Sequence, residues 1–446
     1  MKKNKNLFSE IKFCKDKYIF YEKKYNFSKI KVLINKTFDS IRKYRKGVVV
    51  LDTKDKLKFI TRFYSCNKAG FIIFLSNSIR EIKKEKIQIN YIFRGDKLIK
   101  ISNPKKNFKK NVAIILKTSG SIEFPKYVFL TNENISFITS KMNKAMFEGK
   151  KKFNELIFAP IDHAFGLGRL HSLMKSSNSI SLVDNYTVSS FYNTFKIFNC
   201  NSISMPAKLL STLMDLDFQN FKKKMKDLNY AQISTGYFPL SYRKKVLSLR
   251  TNLFINYGAT EVIRSSFLDC KKYPSKIHTE GKPFEGIKIK IVNKGKNIHG
   301  DIFVKGKNLS QGYSNEKLWK SSLHKGWFKT KDLGFLDKDG FLIFAGRDND
   351  NVNINGVNYS LKLIENDIRQ NLKILNLKIL NISKKGTDYD TKLYLFLDKK
   401  INKSLIFSFL NRKKINISFE KIILVNKFDY ENTGKMNVKN LIKLIK

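Results

Sequence analysis

Between Gly47 and Asp184, short runs of aliphatic and β-branched residues alternate with longer helix-like segments, and this rhythm restricts the fold more than any other feature of the chain. GVVVLD reads as a buried strand, Asp55 to Tyr64 as a helix, and GFIIFL as a second strand. VAIILK, KYVFLT, ELIFAP and SISLVD continue the series, with Asn134 to Phe147 and Val188 to Phe198 as helical segments between them. A strand that is apolar on both faces needs cover on both, which predicts an α/β architecture on mostly parallel sheet. Met1 to Lys46 mix aromatic residues with lysine and suit helix or surface strand equally, so they receive no assignment.

A chain of 446 residues, 42% hydrophobic, can bury a large core and divides into two or three domains. No apolar run approaches the length of a membrane span, and charge interrupts the N-terminus throughout, so neither a transmembrane segment nor a secretory leader is expected and the cytoplasm is the expected location. Cys14, Cys66, Cys200 and Cys270 are widely separated and read as ordinary buried thiols. The formal charge of +50, from 87 Lys and Arg against 37 Asp and Glu, raises nucleic acid as a partner. The lysines, however, lie in short clusters along the whole chain with abundant Ile and Asn, a pattern of coding drift, so no specific nucleic acid is expected. The positive field would instead draw anionic ligands, with a marked dependence on salt.

The densest chemistry lies between Gly326 and Glu365. Lys338-Asp339-Gly340 is turn chemistry between two apolar runs and predicts a tight hairpin. Asp332 and Arg347 flank it. A carboxylate accepts both hydroxyls of a ribose and a guanidinium offers forked donors, so the pair makes a nucleotide grip, with an exposed salt bridge as the plainer reading. The polar run Asp348 to Asn351 suits a joint between domains.

That stretch resembles the adenylate-forming superfamily of acyl-CoA synthetases, peptide-synthetase adenylation domains and luciferases, whose pattern is GWxxTGDxGxxDxDGxLxxxGRxxDxIxxxGxxVxxxEIE. Trp327, Thr330, Asp332, Gly334, Asp337, Asp339, Gly340, Gly346, Arg347, Asp350, Gly356 and Glu365 fall in register, while Lys331 stands where the family has Gly. KTSGSIEFPKYV similarly resembles the family's phosphate loop, implying that Thr118, Ser119, Gly120, Ser121 and Lys126 hold the distal phosphates of ATP. Ile122 and Glu123 depart from it, and a carboxylate there would repel phosphate unless it points away or meets the metal.

APIDHAFGLGRL resembles the segment that lies beside the acyl carboxylate, which makes His163 a catalytic or gating candidate. STGYFPLS falls at the adenine-binding turn, implying that Gly236 packs on the base, with Tyr237 and Phe238 bulky enough to favour a small or flat acid. INYGATEV matches the family's YGxTE, which implies Tyr257, Gly258 and Thr260 at the nucleotide and Glu261 at Mg²⁺. In the tail, Gly434-Lys435 matches NGK, implying Lys435 as the catalytic lysine, Asn349 as the hinge and Gly356 as the loop lining the thiol tunnel.

The resemblance covers about Val112 to Leu441. It implies a large N-terminal domain over 1–348 with a small β-rich subdomain, its first 110 residues shortened and poorly assigned. A small mobile α+β lid follows over 349–446. The implied activity joins a small carboxylic acid to AMP using ATP and Mg²⁺, then to the thiol of CoA or of phosphopantetheine on an acyl-carrier protein. The departures at Ile122, Glu123 and Lys331 leave a second reading open, a non-catalytic homologue that binds nucleotide or a partner protein.

Overall fold

The computed structural model describes residues 6–51, 53–75, 87–104, 111–118, 126–147, 153–293, 299–347, 351–354, 357–372, 374, 376–382, 392–413, 415, 417–430 and 436–445. Two α/β sheets carry most of the chain. The larger has nine strands, in the order Lys282–Pro283, Ser266–Asp269, Asn252–Tyr257, Tyr230–Ser234, Ser202–Pro206, Asn154–Ile157, Ser179–Leu182, Tyr18–Tyr21 and Lys23–Asn26. Its six central strands, from Asn252–Tyr257 to Tyr18–Tyr21, run parallel. The second sheet has seven strands, with Val112–Lys117, Ile72–Leu75, Val48–Leu51 and Tyr91–Arg94 parallel at its centre.

The expected α/β architecture is therefore present, with three local differences. KYVFLT returns antiparallel to VAIILK, pairing Ile115 with Phe129, because the connection from Thr118 to Lys126 has fewer residues than a parallel crossover needs. The helix expected over Asp55 to Tyr64 runs over Lys56–Ala69: Asp55 caps it by accepting from Lys58 N at 2.9 Å, and Gly70, at φ +78°, supplies the left-handed stop. Tyr18–Tyr21 joins the large sheet by pairing Ile19 with Ile180, a partner too distant along the chain for local pattern to reveal.

Successive strand residues serve opposite faces. Ile157, Tyr230 and Phe254 enter the main core, shared with Phe63, Ile138, Leu167 and Leu170 of the helices, while Leu156, Ala231 and Leu253 enter a second core with Phe191 and Leu210. The N-terminus is tied down by Glu10, which accepts from Lys175 Nζ at 2.7 Å, bonds His171 Nε2 at 3.2 Å and accepts from the Ser136 hydroxyl. A fully buried pair, Glu155 and Arg169, joins the strand Asn154–Ile157 to the helix Ala164–Lys175, with Tyr230 donating to the same carboxylate.

A five-stranded antiparallel sheet follows, formed by Ile287–Asn293, Gly300–Gly306, Trp327–Leu336, Leu323–His324 and Leu342–Arg347. This is the small β-rich subdomain that the resemblance implies. The last part of the chain forms the hairpin Asn351–Ile354 with Val357–Ser360 and a three-stranded sheet, Leu377–Asn381, Leu393–Leu397 and Lys421–Leu424, packed with the helices Leu361–Leu372 and Lys403–Arg412 around Ile368, Leu395 and Phe409. Among the described residues, no helix is long and apolar enough to cross a membrane.

Candidate active site

The candidate residues gather where parallel strands end, the place in open α/β sheets where loops rather than ladders receive the backbone. Val112–Lys117 leads to Thr118, Asn154–Ile157 to His163, Tyr230–Ser234 to Gly236, and Asn252–Tyr257 to Gly258. Thr118 N donates to Lys126 O at 2.8 Å, which closes the base of the loop between them. Ser119, Gly120 and Ser121 in that loop lie outside the described residues, as do Asn349, Gly356 and Lys435.

The hairpin built on Lys338-Asp339-Gly340 forms as expected and sets Asp332 opposite Arg347 in the antiparallel ladder. The Arg347 side chain is outside the described set. Asp332 is 4% exposed and accepts from the Tyr257 hydroxyl at 2.9 Å. Thr330 Oγ1 accepts from Asp332 N at 3.1 Å and donates to Ile302 O at 3.0 Å, which fixes the bend of the strand. Lys331 takes φ +65° at that bend, the conformation for which glycine is suited and the physical sense of the glycine it replaces. Tyr257 packs its ring on Phe344 at 6.2 Å.

The loop after Tyr257 is tight. A Cβ on Gly258 would stand 2.5 Å from Arg264 N, so only glycine fits there. Glu261 is anchored on both sides, its carbonyl accepting from Ser310 N at 2.8 Å and its Oε1 from the Tyr313 hydroxyl at 2.6 Å. Lys126 Nζ lies 5.5 Å from the centre of the same tyrosine ring, so Tyr313 links the residue at the phosphate loop to the one implied at the metal. Burial, together with Glu261, pushes the Tyr313 hydroxyl far above its usual range and keeps it a donor. Thr260 is half-buried beside them.

His163 precedes the helix Ala164–Lys175 in extended conformation; its side chain caps no backbone donor, which leaves the imidazole half-buried at the loop. Gly166 permits the close approach of this helix to Pro160, whose carbonyl would lie 2.1 Å from a Cβ. Gly236, at φ +105°, forms an exposed turn with Thr235, also left-handed at φ +61°. Phe238 is 1% exposed and stacks on Tyr242 in the second core, and Tyr237 lies near the guanidinium of Arg243. Thr131 and Asn134 cap each other reciprocally, Asn134 Oδ1 accepting from Thr131 N at 2.9 Å and Thr131 Oγ1 from Asn134 N at 3.1 Å, a helix-start device.

Sequence reading missed Arg243, Glu280, Arg264 and Tyr313. Arg243 is 1% exposed, donates to the carbonyls of Phe238 at 2.6 Å and Thr279 at 2.6 Å, and pairs with Glu280 at 2.6 Å, stapling the Gly236 turn to the segment before the small sheet. The available signal was an arginine inside an otherwise apolar helix face.

The donor set suits a magnesium nucleotide. Among the described residues no group of three or more His, Cys, Asp and Glu could enclose a metal ion, and a single anchored carboxylate, Glu261, matches the way Mg²⁺ is held jointly by one or two carboxylates and substrate phosphates.

Comparison with known proteins agrees. The chain is 26% identical over 325 residues to the 2-succinylbenzoate–CoA ligase of Bacillus subtilis, an alignment spanning 70% of this chain and 65% of that enzyme. It is 24% identical over 341 residues to the Staphylococcus aureus enzyme of the same name, spanning 75% and 67%. The chain thus spans about two thirds or less of the first curated relatives it matches. The structure resembles the Bacillus subtilis o-succinylbenzoate coenzyme A synthetase MenE in complex with AMP, with a TM-score of 0.81, 19% identity and 98% of each chain covered. It also resembles the anthranilate CoA ligase AuaEII in complex with anthranoyl-AMP, with a TM-score of 0.82, 15% identity and 100% and 98% covered. The AMP-binding enzyme model matches residues 25–314, so the likeness reaches back well before Val112 and takes in most of the first 110 residues, which sequence reading left poorly assigned. On that match, and with the strand-end geometry around Tyr257, Asp332 and Glu261, the chain belongs to the AMP-binding enzyme family.

Proposed function

We propose that this protein is an AMP-forming acid–thiol ligase that activates a small carboxylic acid and transfers it to CoA. The observation that carries the reading is the bond from Tyr257 to buried Asp332 at the end of a parallel strand, opposite Arg347 in the ladder. In this reading Asp332 and Arg347 hold the ribose, Tyr257, Gly258 and Gly236 the adenine side, and Thr118, Ser119, Gly120, Ser121 and Lys126 the distal phosphates. Thr260 stands by the nucleotide, Glu261 shares the Mg²⁺ with the phosphates, and His163 lies at the acid. An oxygen of the acid attacks the α-phosphorus, the bond to the β-phosphate oxygen breaks, and pyrophosphate leaves with that electron pair. Lys435 balances the charge that develops. The thiol then attacks the acyl carbon and AMP leaves.

CoA is the proposed acceptor because the relatives it matches are named as CoA ligases. The chain divides near Asn349 into a catalytic unit over 1–348 and a lid over 349–446, with Gly356 lining the path of the thiol, and the reaction's demand for ATP and CoA places it in the cytoplasm. The test is acid-dependent pyrophosphate release from Mg-ATP with hydroxylamine as acceptor, beside Lys435→Ala. Release that needs a particular acid and collapses in the variant supports the reading; a folded preparation that binds ATP and releases none with any acid overturns it.

A further inference from the structure

In the sequence Lys435 lies between Tyr430 and Met436, and these two residues pair with each other as an antiparallel bridge. The Tyr430 hydroxyl donates to Asn376 Oδ1 at 2.7 Å, and the same oxygen accepts from Lys208 Nζ at 2.7 Å. One carbonyl therefore joins the bridge beside Lys435 to a lysine some 170 residues earlier in the chain, whose ammonium also lies 5.1 Å from the centre of the Tyr430 ring. Asp398 sets the direction of the amide. Its Oδ2 accepts from Asn376 Nδ2 at 2.7 Å and from Asn376 N at 2.9 Å, which turns Oδ1 towards Lys208.

Lys208 stands where the candidate site converges. It is the second residue of the helix Ala207–Leu216, directly after the strand Ser202–Pro206. That strand lies between Asn154–Ile157, which leads to His163, and Tyr230–Ser234, which leads to Gly236. The other charges nearby are engaged within their own parts of the chain: Asp215 accepts from the Tyr242 hydroxyl at 2.6 Å, and buried Glu365 pairs with Lys362 at 3.3 Å and Arg369 at 3.6 Å. The Lys208 bond instead crosses from the residues before Asn349 to those after it. An ammonium withdrawn from water costs free energy that an apolar side chain of like length does not, so its placement here is explained by the acceptor it reaches.

We propose that Lys208 is a positioning residue for the adenylation step, holding the base of the Lys435 segment at the strand ends through Asn376 and Tyr430. The inference rests on the ligase reading above, in which Lys435 serves the attack on the α-phosphorus and the thiol step proceeds without it. That division implies a split. Weakening the Lys208 bond slows formation of acyl-AMP and leaves transfer from acyl-AMP to CoA near its normal rate. A contact that only stabilised the fold would lower both steps or neither.

The experiment measures the two steps apart in the full chain: single-turnover formation of acyl-AMP from Mg-ATP, with whichever of benzoate, hexanoate and palmitate is activated fastest, and thioester formation from the synthetic acyl-adenylate and CoA. Lys208→Met, which keeps side-chain length and removes the donor, should slow the first step roughly tenfold and change the second by less than about twofold. Lys208→Arg should recover much of the loss, and Asn376→Leu should match Lys208→Met with little further loss in the double variant. Spin labels at Lys244→Cys and Lys403→Cys, both exposed, in a Cys14→Ser background report the distance between the two parts of the ATP-loaded protein, which should broaden in Lys208→Met. Equal losses in the two steps, or no loss in either, overturn the inference alone. A broadened distance with no acid activated by the wild type keeps the anchor and overturns the ligase reading; an unchanged distance with no acid activated overturns both.

Discussion

The Tyr257 hydroxyl donates to Asp332 Oδ2 at 2.9 Å, joining the end of a parallel strand in the nine-stranded sheet to a bend in the small antiparallel sheet, 75 residues further along the chain. A hydrogen bond to a charged acceptor is worth about 1.5–3 kcal/mol. Tyr257→Phe should therefore raise the KM for ATP roughly tenfold while the acid KM changes little. Asp332→Asn should lose more, about a hundredfold in kcat/KM, because it weakens both this bond and the proposed grip on ribose. Steady-state kinetics with ATP varied at saturating acid checks both; equal KM values in wild type and Tyr257→Phe would dissociate the bond from nucleotide binding.

Lys331 sits at φ +65° immediately before Asp332. A non-glycine residue in this region costs about 1–2 kcal/mol, offset in part by the greater chain entropy that glycine loses on folding. Lys331→Gly should stabilise the protein by about 0.5–1 kcal/mol with kcat/KM for ATP unchanged or higher. Urea unfolding of the two proteins measures the difference; a destabilised variant would show that the lysine side chain makes compensating contacts.

Tyr313 holds Glu261 at 2.6 Å and lies under Lys126. Removing the hydroxyl leaves the carboxylate less well oriented. Tyr313→Phe is expected to raise the Mg²⁺ concentration for half-maximal activity by roughly three- to tenfold, with saturating Mg²⁺ restoring most of the rate. A magnesium titration at fixed ATP reads this; an unchanged half-saturation point removes Tyr313 from metal binding.

Glu10 gives the fold a pH dependence. Burial raises its carboxyl, but hydrogen bonds from His171, Lys175 and Ser136 overcome this and hold it at about 2, below the ordinary value of 4.5. A depressed carboxylate contributes stability that is full above the unfolded pKa and is lost as pH falls through the folded one. The contribution, on the order of 3 kcal/mol, should therefore disappear between pH about 4.5 and about 2. Glu10→Gln should lose it at neutral pH and show a flatter acid limb in urea midpoints measured across that window.

Lys208, on the helix Ala207–Leu216, donates to Asn376 Oδ1 at 2.7 Å and lies 5.1 Å from the Tyr430 ring. Burial pulls its ammonium down to about 8, with Arg369 and Lys362 adding repulsion against the attraction of Asp215 and Asp398. A lysine whose folded pKa is lowered disfavours the folded contact below that pKa, and the penalty fades as pH rises towards the unfolded value. Stability should thus climb between pH about 8 and about 10.5 in wild type relative to Lys208→Met. Paired urea titrations at both ends of the window test it, and parallel pH profiles would place the lysine in water.

The sequence by itself determined the strands, the helices between them and the turn chemistry, because these are set by local pattern: VAIILK and KYVFLT became strands, and Asp339-Gly340 became the hairpin turn. It also put Thr118, His163, Gly236 and Gly258 each after a strand, and parallel strands deliver their ends to one edge of their sheet. Tertiary structure decided what depends on partners remote in sequence. Only the fold could show Tyr18–Tyr21 inside the large sheet, Tyr313 turned onto Glu261, Arg243 stapling the Gly236 turn, and Arg264 buried against Gly168. An arginine carries the same letters whether solvated or buried, and its chemical meaning comes from the neighbours that surround it and from the water they exclude.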